Sequence, residues 1–396
     1  SSGNTGAVVL SGSNTYDGNT AINLGTLKLG VSTVQSGSSA PYTITSGPIG
    51  TGTVVVNSGT LDLNGYALYN AVTLSGTTAN GVNLTNSGSA TTVYANIALT
   101  QGANTTNEIS AAASKSLTIA GIVSNTGSGL ASTLVIDDST NTGAVTLSGV
   151  NTYTGNTTIN YGTLNVTNNS ALGGTTGTIS IGANGTLDLQ NVSIGANPMT
   201  LSAGSTLKDA TSSFSGAITL TGNSTISVTN VGDVFTLSGN ITGVSYGLTI
   251  AGAGTVVLGG ANTYSGGTTV NSGATLKAGG TSVGSAGAVT SGPFGTSTVT
   301  VSSGGTLDIA GYDIINALNL SGTGVGGYVL LNSNSTAKTI SGAVILAASS
   351  TIGGSNPFTI SGVISGNLKA LTIDGATVTL TNAETYTGGT AINSGA

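Results

Sequence analysis

Very few side chains in this sequence are equipped for chemistry. Its 396 residues include 12 Asp and Glu, 6 Lys and Arg, and no His or Cys. Every basic residue is a lysine: Lys28, Lys115, Lys208, Lys277, Lys338 and Lys369. Without imidazole, thiol or guanidinium groups, nucleophilic triads and dyads and the common metal cages have no parts to be built from. Carboxylate chemistry is what remains, and the acids are Asp17, Asp62, Glu108, Asp137, Asp138, Asp188, Asp209, Asp233, Asp308, Asp313, Asp374 and Glu384. Cleaving a glycosidic bond takes two carboxylates that converge across it. Asp137 and Asp138 are the one adjacent pair, and neighbours on a strand face opposite ways. The expectation is a protein that is not an enzyme, with no catalytic, cofactor-binding or metal-binding residue and no cofactor. A polysaccharide-cleaving β-helix is the enzymatic alternative.

The bulk composition narrows the partners. A net charge of −6 repels phosphate backbones and anionic lipid surfaces, so nucleic acid is not an expected partner. No apolar run reaches the ~18 residues of a membrane span, so no membrane insertion of this segment is expected. Absence of Cys suits a reducing compartment or a chain that must stay unfolded during export. Gly occupies 65 positions and Trp none, while Val, Ile and Thr recur throughout. That is the composition of a chain that folds as β.

The acids and lysines sit within repeats. One phrase, AVVLSGSNTYDGNTAINLGTLKLG from Ala7, returns as AVTLSGVNTYTGNTTINYGTLNV from Ala144 and TVVLGGANTYSGGTTVNSGATLKAG from Thr255. A shortened copy, TVTLTNAETYTGGTAINSGA, begins at Thr377. Alternation places Val8 and Leu10, Val145 and Leu147, Val256 and Leu258, and Val378 and Leu380 inward. Ile22, Ile159, Val270 and Ile392 should face inward from a second short strand, and Leu27 and Leu29 from a third. Three such strands, broken by Gly, Asn, Ser and Thr corners, fit one triangular coil of about 20 residues. A looser module, SGPIGTGTVVVNSGTLDLNGY from Ser46 and SGPFGTSTVTVSSGGTLDIAGY from Ser291, follows loops at 31–48 and 279–293 that the middle unit lacks.

The fold expected is all-β: a single parallel β-helix over residues 1–396, with units at 7–143, 144–254, 255–376 and 377–396. Some 18–20 coils would make a rod of roughly 90 Å. Tandem immunoglobulin-like sandwiches are the alternative, but they call for longer strands and usually a buried Trp.

The pattern G-x-NTY-x-G-x-T-x-I-N-x-G-T-L-x-L resembles the passenger-associated repeat of bacterial autotransporters and giant surface adhesins. Its core runs onward from Asn14, Asn151, Asn262 and Glu384. The resemblance implies a right-handed parallel β-helix carried to the cell exterior, often through a C-terminal β-barrel. No barrel follows in this sequence, which suggests an interior segment of a longer protein or another export route.

Individual residues also carry expectations. If GTLKL and GTLDL occupy successive coils, Lys28 lies over Asp62, Lys277 over Asp308 and Asn165 over Asp188, as exposed pairs worth about 0.2–1 kcal/mol each. Tyr16, Tyr153, Tyr264 and Tyr386 are read as corner plugs in preference to a sugar-stacking row. The asparagines of the phrase should bond corner backbone groups. Sequons at Asn83, Asn156 and Asn223 permit glycosylation without requiring it. The functional reading is an extracellular structural or adhesive rod at a bacterial surface. Its partners would be flanking repeats or copies of itself stacked head to tail. The alternative is a glycan- or cell-binding passenger using the two loops, and ice binding is disfavoured because Thr pairs do not recur from coil to coil.

Overall fold

The computed structural model describes residues 6–37, 42–76, 82–100, 106–127, 132–137 and 139–393. The chain divides into two compact units, Ser1–Pro198 and Met199–Ala396, a boundary that falls inside the second sequence repeat. Among the described residues the one helical element is a short 3-10 turn at Val325–Gly327, and everything else regular is strand.

Both units are built of turns laid on one another in parallel. In the first, Thr26–Leu29 pairs with Thr60–Asp62, then Leu84–Asn86, Thr106–Ala111, Thr133–Ile136 and Thr157–Val166 in succession. The in-register positions form one column: Leu27, Leu61, Leu84, Ile109, Ile136, Ile159 and Ile181, all buried. The second unit has its own column, Leu207, Ile226, Ile250, Val270, Val301, Leu320 and Leu346, also buried. Each such side chain contributes about 1.5–3 kcal/mol of hydrophobic stabilisation. Because strands are short and each turn buries only a few residues, no turn can hold itself closed. Stability lies in the contact between neighbours.

This is an all-β parallel solenoid of about 17 turns, slightly fewer than the 18–20 expected. The composition of one coil also differs from the expectation. The first and third strands of the phrase do not form two sides of one turn; they lie side by side on successive turns. Ala7–Leu10 pairs with Thr26–Leu29, Ala144–Leu147 with the end of Thr157–Val166, and Thr255–Leu258 with Thr275–Ala278. Two strands with the same in-out alternation, one coil period apart, can be stacked or consecutive, and alternation alone does not distinguish these.

The inward assignments hold where a turn lies on both sides. Val145, Leu147, Val256, Leu258, Ile159 and Val270 are fully buried. In the first copy Val8 and Val9 are 59% and 53% exposed, and in the fourth Ile392 is 71% exposed. Ala7–Leu10 has one parallel partner among the described residues.

Two antiparallel hairpins depart from the pattern. Val34–Ser36 with Thr43–Ser46, and Val283–Ser285 with Ala288–Ser291, rise from the expected loop positions. Isolated antiparallel bridges tie their bases down, Asn14 to Gly47 and Asn262 to Gly292.

Candidate functional site

The expected register of lysine over aspartate is present. Lys28 pairs with Asp62, Lys277 with Asp308 and Asn165 with Asp188. The Lys28 Nζ lies 3.2 Å from the Asp62 carboxylate, and the Lys277 Nζ 3.5 Å from that of Asp308. The pairs are not the exposed ones expected, because Asp62, Asp188 and Asp308 are only 4–5% exposed. Asp62 Oδ1 accepts from the backbone N–H of Asn64 (2.9 Å) and of Ser87 on the next turn (3.0 Å), and Oδ2 accepts from the Ser87 hydroxyl (2.6 Å). Lys28 also donates to Ser87 Oγ, so three turns are joined. Asp308 repeats this with the N–H groups of Ala310 (2.8 Å) and Ser333 (2.9 Å). Burial alone would raise the Asp62 pKa, but the Ser87 hydroxyl, the two N–H groups and the Lys28 charge together hold it below the usual carboxylate value. These carboxylates act as corner clamps, and the lysine is the half-exposed rim of each.

Other acids are similarly occupied. Asp137 accepts from the Ala111 N–H (2.8 Å), Asp209 from Ser212 (3.0 Å), and Asp313 from Thr339 (2.9 Å) and Lys338 (3.1 Å). Asp138 lies outside the described residues. Among those described, no three acidic residues gather as a metal cage would need.

Asparagines seal corners as expected. Asn151 Oδ1 accepts from the Val123 N–H (2.8 Å) while its amide donates to Ala171 O (2.6 Å), and Asn262 does the same with Ile241 (2.7 Å) and Pro293 O (2.6 Å). In the fourth copy Glu384 stands at this position, and its carboxylate accepts from the Ile364 N–H. The sequon residue Asn83 is fully buried, which removes it as an acceptor for glycosylation.

Tyr153 and Tyr264 are the plugs expected of them. Both are 0% exposed, and each hydroxyl meets a threonine four residues on, Thr157 at 2.7 Å and Thr268 at 2.6 Å. Burial pushes both phenols well above their ordinary pKa, with the threonine bond opposing only part of the shift. Their rings explain a glycine on the next turn. At Gly295 (φ 70°) an added Cβ would meet the Tyr264 carbonyl at 2.5 Å and its ring at 2.8 Å, and Gly50 and Gly173 stand likewise against Tyr16 and Tyr153. Tyr16 is itself 45% exposed.

Sequence reasoning missed a different set of tyrosines. Tyr69 and Tyr94 follow Leu68 and Val93, which bridge in parallel on adjacent turns, and their rings lie face to face, 4.6 Å apart and 9° from parallel. Tyr42, at the start of the first hairpin's second arm, meets them edge-on at 4.9 and 6.0 Å. Burial, then its tyrosine neighbours, raise the Tyr69 pKa, partly offset by a hydrogen bond from Gln35 on the hairpin's other arm. These three rings border a groove of about 800 Å³ that is also lined by Asp17, Asn19, Asn96, Ala120 and Ile122. The available signal was a difference between aligned modules: where NGYALYN has Tyr69, AGYDIIN has Ile315.

Parallel turns, aliphatic columns and polar corners closed onto backbone define a β-solenoid repeat protein. The family model described as passenger-associated-transport-repeat matches residues 4–29, 140–166, 248–278 and 373–396, the four copies of the phrase. No curated protein and no solved structure matches the chain.

Proposed function

We propose that this chain is part of an autotransporter-type passenger, an extracellular structural and adhesive rod at a bacterial cell surface. One observation carries this reading. Four copies of a passenger-associated repeat recur along the chain, and the Asn, Asp and Tyr side chains they and the intervening modules bury serve backbone corners and plugs. Such a turn-by-turn architecture can be lengthened without redesign, because each turn needs only its neighbours. A chain without Cys also crosses an oxidising compartment free of disulfides that would block export. Its partners, in this reading, are further repeats of its own chain or copies joined head to tail.

Protease treatment of intact bacteria expressing the parent protein tests location: cleavage within this segment is expected, and protection until lysis would remove the surface reading. Electron microscopy of the purified chain tests assembly, with uniform fibres supporting head-to-tail joining and discrete particles opposing it. Incubation with acidic polysaccharides and calcium tests the structural role, since release of new chain ends would replace it with an enzymatic one. The tyrosine-lined groove favours a second component, adhesion to carbohydrate.

A further inference from the structure

We propose that the groove beside the first hairpin binds a neutral glycan chain, with the outer face of Tyr94 as its stacking platform. One face of Tyr94 is covered by Tyr69. The next turn places Ile119 beside Val93, and the residue after it, Ala120, lines the groove together with Tyr94; a methyl group cannot cover a phenol ring. A pyranose presents slightly positive C–H groups on one face, which suit the negative face of an aromatic ring. Tyr42, edge-on to both rings, also lines the groove and supplies a hydroxyl.

The polar groups fit the same ligand. Asn19 and Asn96 line the groove, and each uses its carbonyl oxygen on a backbone N–H of the next turn, from Thr53 (3.2 Å) and Ile122 (3.0 Å). That fixes each side chain at the groove and leaves its NH₂ group to donate to a ligand's hydroxyl oxygens, while the exposed Asp17 carboxylate can accept from hydroxyl hydrogens. No lysine lines the groove, and Asp17 repels sulfated or sialylated sugars, so the charge pattern selects neutral ones. The groove runs across successive turns, which are spaced about 4.8 Å apart, a step close to one sugar ring in an extended chain. Its volume is that of an ordinary ligand site.

This site deepens the adhesive component of the proposed function and fails separately from the structural one: an exported rod with no glycan affinity would refute the site and that component while leaving the rod. The test is an array of neutral oligosaccharides of glucose, galactose, mannose and N-acetylglucosamine beside sialylated and sulfated ones, with calorimetry on the strongest neutral binder. Binding to neutral glycans is expected, weakened at least about tenfold by Tyr94→Ala. Ala120→Trp leaves all three tyrosines in place but covers the Tyr94 face, and should weaken binding as much while circular dichroism stays unchanged. Ile315→Ala, at the matching place by the second hairpin, should leave binding intact. Absence of neutral-glycan binding, preference for acidic glycans, or full affinity in Ala120→Trp would each overturn the proposal.

Discussion

The two hairpin-bearing segments share a base and differ in what they display. Beneath the first hairpin Thr33 donates to Asn70 Oδ1 (3.1 Å), and the Asn70 amide donates to Gly50 O (3.2 Å) and Gly52 O (2.8 Å). Beneath the second, Ser282 donates to Asn316 Oδ1 (3.0 Å), and Asn316 to Gly295 O (3.0 Å) and Ser297 O (2.8 Å). Above that common base they part. Tyr42, Tyr69 and Tyr94 of the first stand where the second has Gly287, Ile315 and Ser341, while the second carries an Asp313–Lys338 ion pair where the first has Ala67 and Thr91. A solenoid separates these tasks because inward and corner groups close the backbone, whereas outward groups touch only solvent or a ligand. Residues that close the corner are constrained by geometry, and those above it are free to specialise.

The shared base gives the largest test. Asn70→Ala and Asn316→Ala each strand one buried carbonyl, one part-buried carbonyl and a hydroxyl, and each should cost about 3 kcal/mol, read as a fall in thermal unfolding midpoint and as lost amide-exchange protection in the flanking turns. Markedly unequal losses would break the equivalence of the two bases. Gly50→Ala and Gly295→Ala should cost about 1–2 kcal/mol each, since both sit at positive φ beneath a tyrosine. The loss should be greater at Gly295, where Tyr264 is fully enclosed and cannot swing aside as the half-exposed Tyr16 can.

Acid sharpens the comparison further. The Asp62 pKa is lowered on folding, so its contribution is complete above the unfolded-state carboxylate value of about 4 and is lost as pH falls through the lower native value. Asp62→Asn should therefore flatten the acid limb of the unfolding curve below about pH 4, and an unchanged limb would show that the clamp does not act through its charge. The smallest effect belongs to the rim. Lys28→Met and Lys277→Met should each cost under about 1 kcal/mol, diminishing with added salt, because both ammonium groups are part-exposed.

Much of this was legible in the sequence for a specific reason. The lysine-over-aspartate register followed from GTLKL and GTLDL recurring one coil apart, and the burial of Tyr153 and Tyr264 from their fixed place within the repeat. The burial of Asp62 was not legible, because its partners Asn64 and Ser87 come from a turn and from the following coil, and Ser87 belongs to no repeated phrase. The groove was hidden for the same reason: Tyr42, Tyr69 and Tyr94 are far apart along the chain and meet only because an inserted hairpin lies against two stacked turns.

Periodic apolar positions and Gly, Asn and Thr corners were enough to determine that the chain coils in parallel β-turns, since a short strand with one buried face can be satisfied by a copy of itself one period away. Which outward side chains come together was decided by the tertiary structure alone. That depends on the angle each corner imposes and on where an insertion leaves the coil, and neither is written in the period.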